Sequence, residues 1–293
     1  MNGLVLAIVL SAMGQGDRAE IEPAHARNAV FAALVGEGFS ADGASVRLPS
    51  PTVRDGQDAD AQRAALREVA GSDGKLQELL RKSVAAPFIL KVHDVKANDA
   101  TLRVVDIWFV VHAEMADVDP ATEARKAQGQ EVGAGNMTMR TELLDDAALR
   151  AAGIDPPASH PGDGPETWYA RVHGRLLDRI AFVTTSQAVA TRSKDSIVVA
   201  SRTAQAFDKP GPTANAWQPV AGGDARPYRG GVSYAKISRL AIAPGALLVE
   251  MHGAFEEPHD WFQGAPILRS KFGVVAQDQI RRLRREAEKR SKP

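Results

Sequence analysis

The sequence lacks cysteine, has few aromatic residues and carries no excess of charge of either sign. Its 293 residues include no Cys, 5% Phe, Trp and Tyr together, and 36 basic residues against 36 acidic ones. The absence of cysteine excludes disulfides, zinc–thiolate sites, iron–sulfur clusters and a cysteine nucleophile. Because the charge is balanced, no global electrostatic field attracts polyanions, and we expect no nucleic-acid partner.

Long apolar runs are missing as well. A helix that spans a membrane takes about 20 consecutive apolar residues, and the run at residues 4–10 (LVLAIVL) has seven. Ala12 and Gly14 follow it, two residues apart, as a signal-peptide cleavage site requires. No Lys or Arg precedes the run, so a buried first strand is the alternative. We predict a signal peptide over residues 1–14 and export to the periplasm or the extracellular space.

Helical periodicity characterises the chain up to residue 86. Residues 24–35 and 75–84 place apolar side chains on one helical face, and residues 61–70 are rich in helix-forming types. Glycines at positions 36 and 38 end the first of these segments. We expect residues 15–86 to form a helical segment that packs on a sheet.

From Pro87 onward the hydrophobic period changes from 3.6 to 2, which predicts strands. Turn signals at Asn98-Asp99, Ser193–Ser196 and Pro244-Gly245 join neighbouring strands through short connections, which favours antiparallel pairing. The predicted strands are Phe88–Val95, Thr101–Glu114, Met137–Leu144, Trp168–Thr185, Ala188–Arg192, Ile197–Phe207, Val232–Ala243 and Ala246–Glu256.

These patterns predict an α+β fold. We expect a mainly antiparallel, curved sheet of about eight strands over residues 87–273, either open or closed in a barrel-like way. The N-terminal helices pack on this sheet, and a basic helix over residues 277–292 lies within a C-terminal segment, 274–293.

Two of the strands each carry an imidazole and a carboxylate two residues apart, namely His112/Glu114 and Glu250/His252. Alternate residues of a strand share one face and lie about 6.6–6.8 Å apart. If the two strands were neighbours, the four side chains could bind one divalent cation such as Zn²⁺. The alternative is a solvated sheet face, on which His and Glu are ordinary residues.

A second polar face lies on the strand that starts near Trp168, where Arg171, His173 and Arg175 alternate with apolar residues. Guanidinium groups bind carboxylate or phosphate in a bidentate way, so this face is a candidate anion site. The alternative is ordinary cross-strand pairing with carboxylates such as Glu114 or Glu250.

Large aromatic residues are the other candidates for ligand contacts. A curved sheet with helices packed on it can enclose an apolar pocket. We place Trp108, Trp217, Trp261 and Phe262 near the mouth of such a pocket, and ordinary core packing is the alternative.

The only charge cluster is the predicted C-terminal helix, which carries seven Lys and Arg residues between 281 and 292. A basic amphipathic helix can contact an anionic membrane surface weakly. The alternative is a solvated terminal helix whose cations lie near the negative end of its dipole.

No motif of a known catalytic class is present. The sequence has no P-loop and no G-x-G-x-x-G, and residues 231–235 (GVSYA) lack the last Gly of a nucleophile elbow. We therefore expect a non-catalytic exported module, without a cofactor, that binds a small or lipid-like ligand or an envelope partner. One alternative is a metal-dependent hydrolase centred on His112, Glu114, Glu250 and His252, in which the metal activates water. Another is a structural or assembly protein that docks through its basic helix.

Overall fold

The computed structural model describes residues 21–126, 128–134, 136–157, 164–263, 265 and 267–290. The predicted signal peptide, residues 1–14, lies outside these residues. The described strands are β1 (Phe39–Ala41), β2 (Ala44–Val46), β3 (Ile89–Lys96), β4 (Ala100–Val111), β5 (Glu131–Ala134), β6 (Met137–Leu143), β7 (Glu166–Leu176), β8 (Ile180–Arg192), β9 (Ser196–Thr203), β10 (Ala216–Pro219), β11 (Arg226–Pro227), β12 (Gly231–Arg239) and β13 (Leu247–Pro258). The helices are α1 (Ala29–Gly36), α2 (Ala59–Ala70), α3 (Asp73–Leu80), α4 (Pro120–Lys126), α5 (Asp146–Ala151), α6 (His259–Phe262) and α7 (Ile267–Arg290).

The large sheet is antiparallel throughout, which confirms the α+β prediction. Its strand order is β3-β4-β13-β12-β9-β8-β7-β6-β5, and β10 pairs with the start of β8 and with β11. Among the described strands, β3 and β5 form the two ends of this order and do not pair with each other. The sheet is therefore open, and the barrel-like closure that the sequence left possible is wrong.

Helices cover both faces of the sheet. On one face, called the N-terminal face below, α1 packs through Phe31 and Leu34 against strand residues that include Tyr234. On the same face, α2 and α3 bury Leu66, Leu76 and Leu79 against β4 and β13. On the other face, α7 buries Ala276, Ile280 and Ala287 against apolar residues of β4, β12 and β13. Because alternate residues of a strand point to opposite faces, the even-numbered residues of β13 lie on the N-terminal face.

Capping residues fix where the N-terminal helices begin. The side chains of Asn28, Asp58 and Ser72 each accept a hydrogen bond from a backbone N–H in the first turn of α1, α2 and α3. Each of these bonds satisfies one of the amide groups that a helix start leaves unpaired. Residues 47–57, between β2 and α2, cross the centre of the N-terminal face, where Pro49 and Thr52 bond to strand residues.

The sequence prediction joined β7 to the first half of β8, broke β8 after Thr185, and misplaced the starts of α1, which begins at Ala29 and not at residue 24, and of α7. The segment predicted as one strand over Trp168–Thr185 is split between β7 and β8, with a tight turn at Leu177 and Asp178. Both turn residues adopt a positive φ, 53° and 54°, which leucine rarely adopts, so the sequence carries no turn signal there. α7 begins ten residues before the predicted Gln277. Over the part of the chain that is described, no helix combines the length and apolar character needed to cross a membrane.

Candidate functional site

Five ionisable side chains lie together at the centre of the N-terminal face. This group, the polar patch, consists of Asp106 on β4, Tyr234 and Lys236 on β12, and Glu250 and His252 on β13. In the strand register His252 lies opposite both Asp106 and Tyr234, and Glu250 lies opposite Lys236. All five are buried, and Lys236 and Glu250 have no exposed surface. Charged residues reach this depth only when they are paired, so their partners determine what the patch can do.

His252 connects two carboxylates of the patch. Its Nδ1 lies 2.7 Å from Asp106 Oδ1, and its Nε2 lies 3.5 Å from Glu250 Oε2. Burial lowers the pKa of His252, but the hydrogen bonds and charges of Asp106 and Glu250 outweigh burial and raise the pKa above its ordinary value. The imidazole therefore favours its charged form, which the two carboxylates stabilise.

Lys236 takes its counterions from the N-terminal segment. Its Nζ donates to the Glu22 carboxylate and to the Val53 carbonyl, and lies 3.3 Å from Asp55 Oδ1. A lone buried ammonium would be unstable, and these partners remove that cost. The pairing ties residues at both ends of the 21–57 segment to the middle of the sheet.

The loop over residues 49–57, called the covering loop, closes the patch from above. Tyr234 Oη donates to the Pro49 carbonyl at 2.6 Å, and the Thr52 backbone N–H donates to Glu250 Oε2 at 2.8 Å. Trp108 Nε1 donates to Thr52 Oγ1 at 2.8 Å. The covering loop thus supplies hydrogen-bond partners to Tyr234 and Glu250 of the polar patch.

A second buried cluster joins the covering loop to the β8–β9 hairpin. Ser196 Oγ lies 2.7 Å both from His25 Nε2 and from Asp55 Oδ1, and Ser193 Oγ donates to Asp55 Oδ2 at 2.5 Å. Burial and the charge of Lys236 lower the pKa of His25 below its ordinary value, against the opposing charges of Asp55 and Glu22. The residue types match a serine–histidine–aspartate triad, but the geometry does not. Asp55 bonds to the serine hydroxyls, and His25 Nδ1 lies 3.0 Å from Thr191 Oγ1 instead of bonding to the aspartate as a triad requires.

Burial, the strongest influence on Asp55, raises the pKa of that carboxyl. The hydrogen bonds from Ser193 and Ser196 and the charges of Lys236 and His25 together outweigh it, so the pKa of Asp55 lies below its ordinary value. Asp55 therefore stays ionised and serves as a counterion to Lys236.

A cleft of about 330 Å³ lies beside the polar patch, between the covering loop, the end of β4 and the β12–β13 hairpin. We call it the hairpin cleft. Its polar lining consists of Arg54, Asp55, Gln57, Gln62, Glu114, Asp195, Ser238 and Arg239. Gln62 fixes the hairpin side, because its Oε1 accepts from the Ala241 backbone N–H at 2.7 Å.

Ser238 is the most informative residue of the hairpin cleft. It is 2% exposed, and among the residues that the structure describes its Oγ has no hydrogen-bond partner. A buried hydroxyl without a partner costs about 1–3 kcal/mol. Sequence analysis missed Ser238, Lys236 and Asp55, because a serine or lysine on a strand and an aspartate in a loop carry no local signal.

The structure does not bring together the four residues of the metal hypothesis. β4 and β13 are adjacent, as the hypothesis requires, but the register places Trp108 opposite Glu250. His112 follows the end of β4, and its Nε2 lies 3.0 Å from the Leu80 carbonyl. The Glu114 side chain is 78% exposed and lies 4.0 Å from Arg239. Over the described ranges, no group of three or more His, Asp or Glu side chains is arranged to hold a metal ion.

Three of the four candidate aromatic residues meet in the core rather than at a pocket mouth. Trp217, Trp261 and Phe262 are buried with Phe182 and Tyr228, and the Trp217 and Trp261 ring centroids lie 6.1 Å apart. Trp108, the fourth, packs edge-on against the His252 ring, with centroids 5.1 Å apart. The positions of these aromatic residues therefore agree with the alternative expectation, ordinary core packing.

Arg171, His173 and Arg175 share one face of β7, as predicted, but have different neighbours. Arg171 donates to Thr185 Oγ1 at 3.2 Å, and its guanidinium lies over the Phe207 ring. Their nearby carboxylates are local: His173 Nε2 lies 3.7 Å from Glu142, and Arg175 lies 3.4 Å from Asp178. The partners expected from sequence are not on the strands that pair with β7, because Glu250 lies on β13 and Glu114 follows β4. His173 and Arg175 line a shallow second cleft of about 310 Å³.

The basic helix α7 is part of the fold. Arg284 is 4% exposed, and it donates to the carbonyls of Val84, Ala86, Pro87 and Val110. Arg282 pairs with Glu286 one turn away. A C-terminal helix without contacts to the rest of the fold would favour the hypothesis of an assembly protein. Because α7 packs on the sheet, the structure gives that hypothesis no such support.

The sequence was compared with protein-family models and with curated proteins, and neither comparison gives a match.

Proposed function

We propose that this chain is a non-catalytic binding module, acting after export, that holds a small polar ligand in the hairpin cleft. The observation that carries the proposal is Ser238, a residue that lines the cleft and whose buried hydroxyl has no hydrogen-bond partner among the described residues. A ligand that bonds to this hydroxyl recovers part of the cost of burying it. Binding sites of this kind combine a concave shape with a few well-placed polar groups.

The lining supports a small polar ligand over a lipid-like one. About half of the residues around the cleft are polar or charged, and its volume lies near the lower limit for ligand pockets of about 300–1,000 Å³. The large aromatic side chains, which would line a lipid pocket, are packed against one another instead.

The polar patch supports a structural role better than a catalytic one. Glu250 and Tyr234 bond to the covering loop and Lys236 bonds to Glu22, so a substrate would have to displace part of the chain to reach these groups. For this reason we place the ligand in the hairpin cleft and not on the patch.

The test is a ligand screen on the full chain by thermal shift and calorimetry, with sugars, amino acids, amines and organic acids as probes. We expect a binder whose affinity falls at least tenfold in Ser238→Ala. The control is Ser201→Ala, because Ser201 bonds to Ser233 on the other face of the sheet. A screen without any binder overturns the proposal, as does a binder with equal affinity for Ser238→Ala and the wild type.

Export is tested separately. We expect protein recovered from outside the cytoplasm to begin at Gln15, which N-terminal sequencing measures. Recovery of the full-length protein from the cytoplasm alone would contradict this part of the proposal.

A further inference from the structure

We infer that Lys236 and Asp55 condense into an intramolecular amide, an isopeptide bond, with Glu22 as the group that moves a proton between them. The inference concerns how the covering loop is fastened to the sheet, so it does not depend on the proposed function. It follows from a fully buried amine that lies against two carboxylates, one of which also accepts hydrogen bonds from two serine hydroxyls.

Lys236 places its amine against both carboxylates. Its Nζ donates to Glu22 Oε1 and lies 3.3 Å from Asp55 Oδ1. The Lys236 side chain has no exposed surface, and the side chains of Glu22 and Asp55 are 11% and 17% exposed. Groups that a fold holds in contact react as if at effective molarities of about 10⁵–10⁸ M, and the burial of Lys236 keeps bulk water from its amine.

Asp55 is the carboxyl group that the fold prepares for attack. Ser196 Oγ donates to its Oδ1 at 2.7 Å, and Ser193 Oγ donates to its Oδ2 at 2.5 Å. Hydrogen-bond donors fixed around a carboxyl group stabilise the negative charge that develops on its oxygens during attack. Glu22 is placed as a proton carrier, because its Oε1 accepts both from Lys236 and from the Asp55 backbone N–H.

The reaction converts the ion pair into an amide and one water molecule. One ammonium proton of Lys236 passes to Asp55 Oδ1, and the neutral amine then attacks Cγ of Asp55, which forms the C–N bond. A second proton leaves the nitrogen through Glu22 and reaches Oδ1. The Cγ–Oδ1 bond breaks, Oδ1 departs as water, and Oδ2 becomes the amide oxygen. Atoms and charge balance, because one ammonium and one carboxylate give one amide and one water, and Glu22 ends as it began.

The bond would fasten the covering loop to the centre of the sheet. Asp55 lies in this loop, between β2 and α2, and Lys236 lies on β12. A covalent link between residues far apart in the sequence restricts the unfolded chain, as a disulfide does. This chain has no cysteine with which to form a disulfide, so an isopeptide bond would supply the same kind of restraint.

The test is mass spectrometry of the purified full chain. We expect the intact mass to lie below the value for the observed N-terminus by the mass of one water molecule. After denaturation and cleavage with trypsin, residues 55–63 should be recovered joined to residues 230–239, because trypsin does not cleave after an acylated lysine.

Variants of the three reacting residues test their roles. Lys236→Arg, which keeps the positive charge, and Asp55→Ala should both have the unmodified mass. Glu22→Gln keeps the amine and the carboxyl group, so it should yield at least tenfold less of the joined peptide, while circular dichroism confirms that it is folded. The matched control is Lys194→Arg, which should lose water as the wild type does, because the Lys194 side chain is 88% exposed.

Four results would overturn the inference. An unmodified mass of the wild type excludes the bond. A loss of water that persists in Lys236→Arg belongs to a succinimide at Asp55-Gly56, which releases the same water. A joined peptide that contains residues 19–27 in place of 55–63 makes Glu22 the acylating group, and equal conversion in Glu22→Gln removes its role as proton carrier. These readouts use no ligand, so their failure is distinct from a failure of the proposed function.

Discussion

Ser196 and Ser238 lie opposite each other on β9 and β12, yet only Ser196 has hydrogen-bond partners among the described residues. Both are almost completely buried, at 0% and 2% exposure. Ser196 Oγ bonds to His25 and Asp55, whereas Ser238 lines the hairpin cleft and its buried hydroxyl has no such partner in the part of the chain that the structure describes. Two residues of the same type at the same depth therefore have opposite effects on stability.

This difference predicts opposite effects of the same substitution. We expect Ser238→Ala to raise the free energy of unfolding by about 1 kcal/mol, because it removes an unpaired buried hydroxyl. Ser196→Ala should lower it by about 1–3 kcal/mol, since it leaves partners of the hydroxyl unsatisfied. Urea unfolding of the two variants measures both values. A Ser238→Ala protein that is less stable than the wild type would contradict the assignment of the cleft as a site built at a cost in stability.

Lys236 holds the N-terminal segment on the sheet. Lys236→Met should lower the free energy of unfolding by about 3–5 kcal/mol, because Glu22 and Asp55 would remain as largely buried carboxylates without their cation. Urea unfolding at neutral pH measures the loss.

The control for Lys236→Met is Lys194→Met. The Lys194 side chain is 88% exposed and only 4.0 Å from a single carboxylate, so we expect a change within about 0.5 kcal/mol. If the two variants lost similar amounts of free energy of unfolding, the buried ion pairs of Lys236 would not be the cause of its loss.

Much of the fold was predictable because its signals are local. The period-2 pattern located most of the long strands, and the turns at Asn98-Asp99, Ser193–Ser196 and Pro244-Gly245 lie where the structure has them. The turn at Leu177 and Asp178 was missed because its conformation is rare for leucine.

The candidate site was less predictable, because its contacts join distant parts of the chain. Lys236 and Glu22 are 214 positions apart, and no local pattern connects them. Glu250 and His252 were placed on the correct face, but strand register decides that Asp106 and not His112 lies opposite His252. The hydrophobic pattern of a single strand does not tell which residues of the neighbouring strand lie opposite it.

The two buried histidines predict a stability maximum near neutral pH. The pKa of His25 is lowered from 6.5, so the unfolded chain binds its proton more readily, and stability falls as the pH drops below about 6.5. The pKa of His252 is raised, so its contribution is complete below about 6.5 and is lost as the pH rises through its folded value. Urea unfolding between pH 5.5 and 8.5, about one to two units around the ordinary histidine pKa, measures both limbs.

Single substitutions separate the two limbs of this pH profile. His25→Gln should flatten the acid limb and leave the alkaline limb, since Asp106 and Glu250 still hold a charged His252. His252→Gln should flatten the alkaline limb. If neither variant changes the slope of stability against pH, other groups control it and the two assignments are wrong.

Gly174 lies under the buried aromatic cluster and tests its packing. A Cβ at this position would lie 2.1 Å from the Cε1 and Cζ atoms of Phe182. The Phe182 ring cannot move freely, because it stacks on Trp261 with centroids 6.3 Å apart. We expect Gly174→Ala to lower the free energy of unfolding by about 1–3 kcal/mol, as overpacking does. Thermal unfolding followed by tryptophan fluorescence reports on this cluster directly.

Gly36→Ala is the matched control for Gly174→Ala. No atom lies within 4 Å of a Cβ built at Gly36, which ends α1, so alanine should stabilise the helix by up to about 0.5–1 kcal/mol. A second check combines Gly174→Ala with Phe182→Leu, since the smaller side chain makes room for the added methyl group. The penalty of Gly174→Ala should then shrink, and a penalty that stays the same would mean that contact with Phe182 is not its cause.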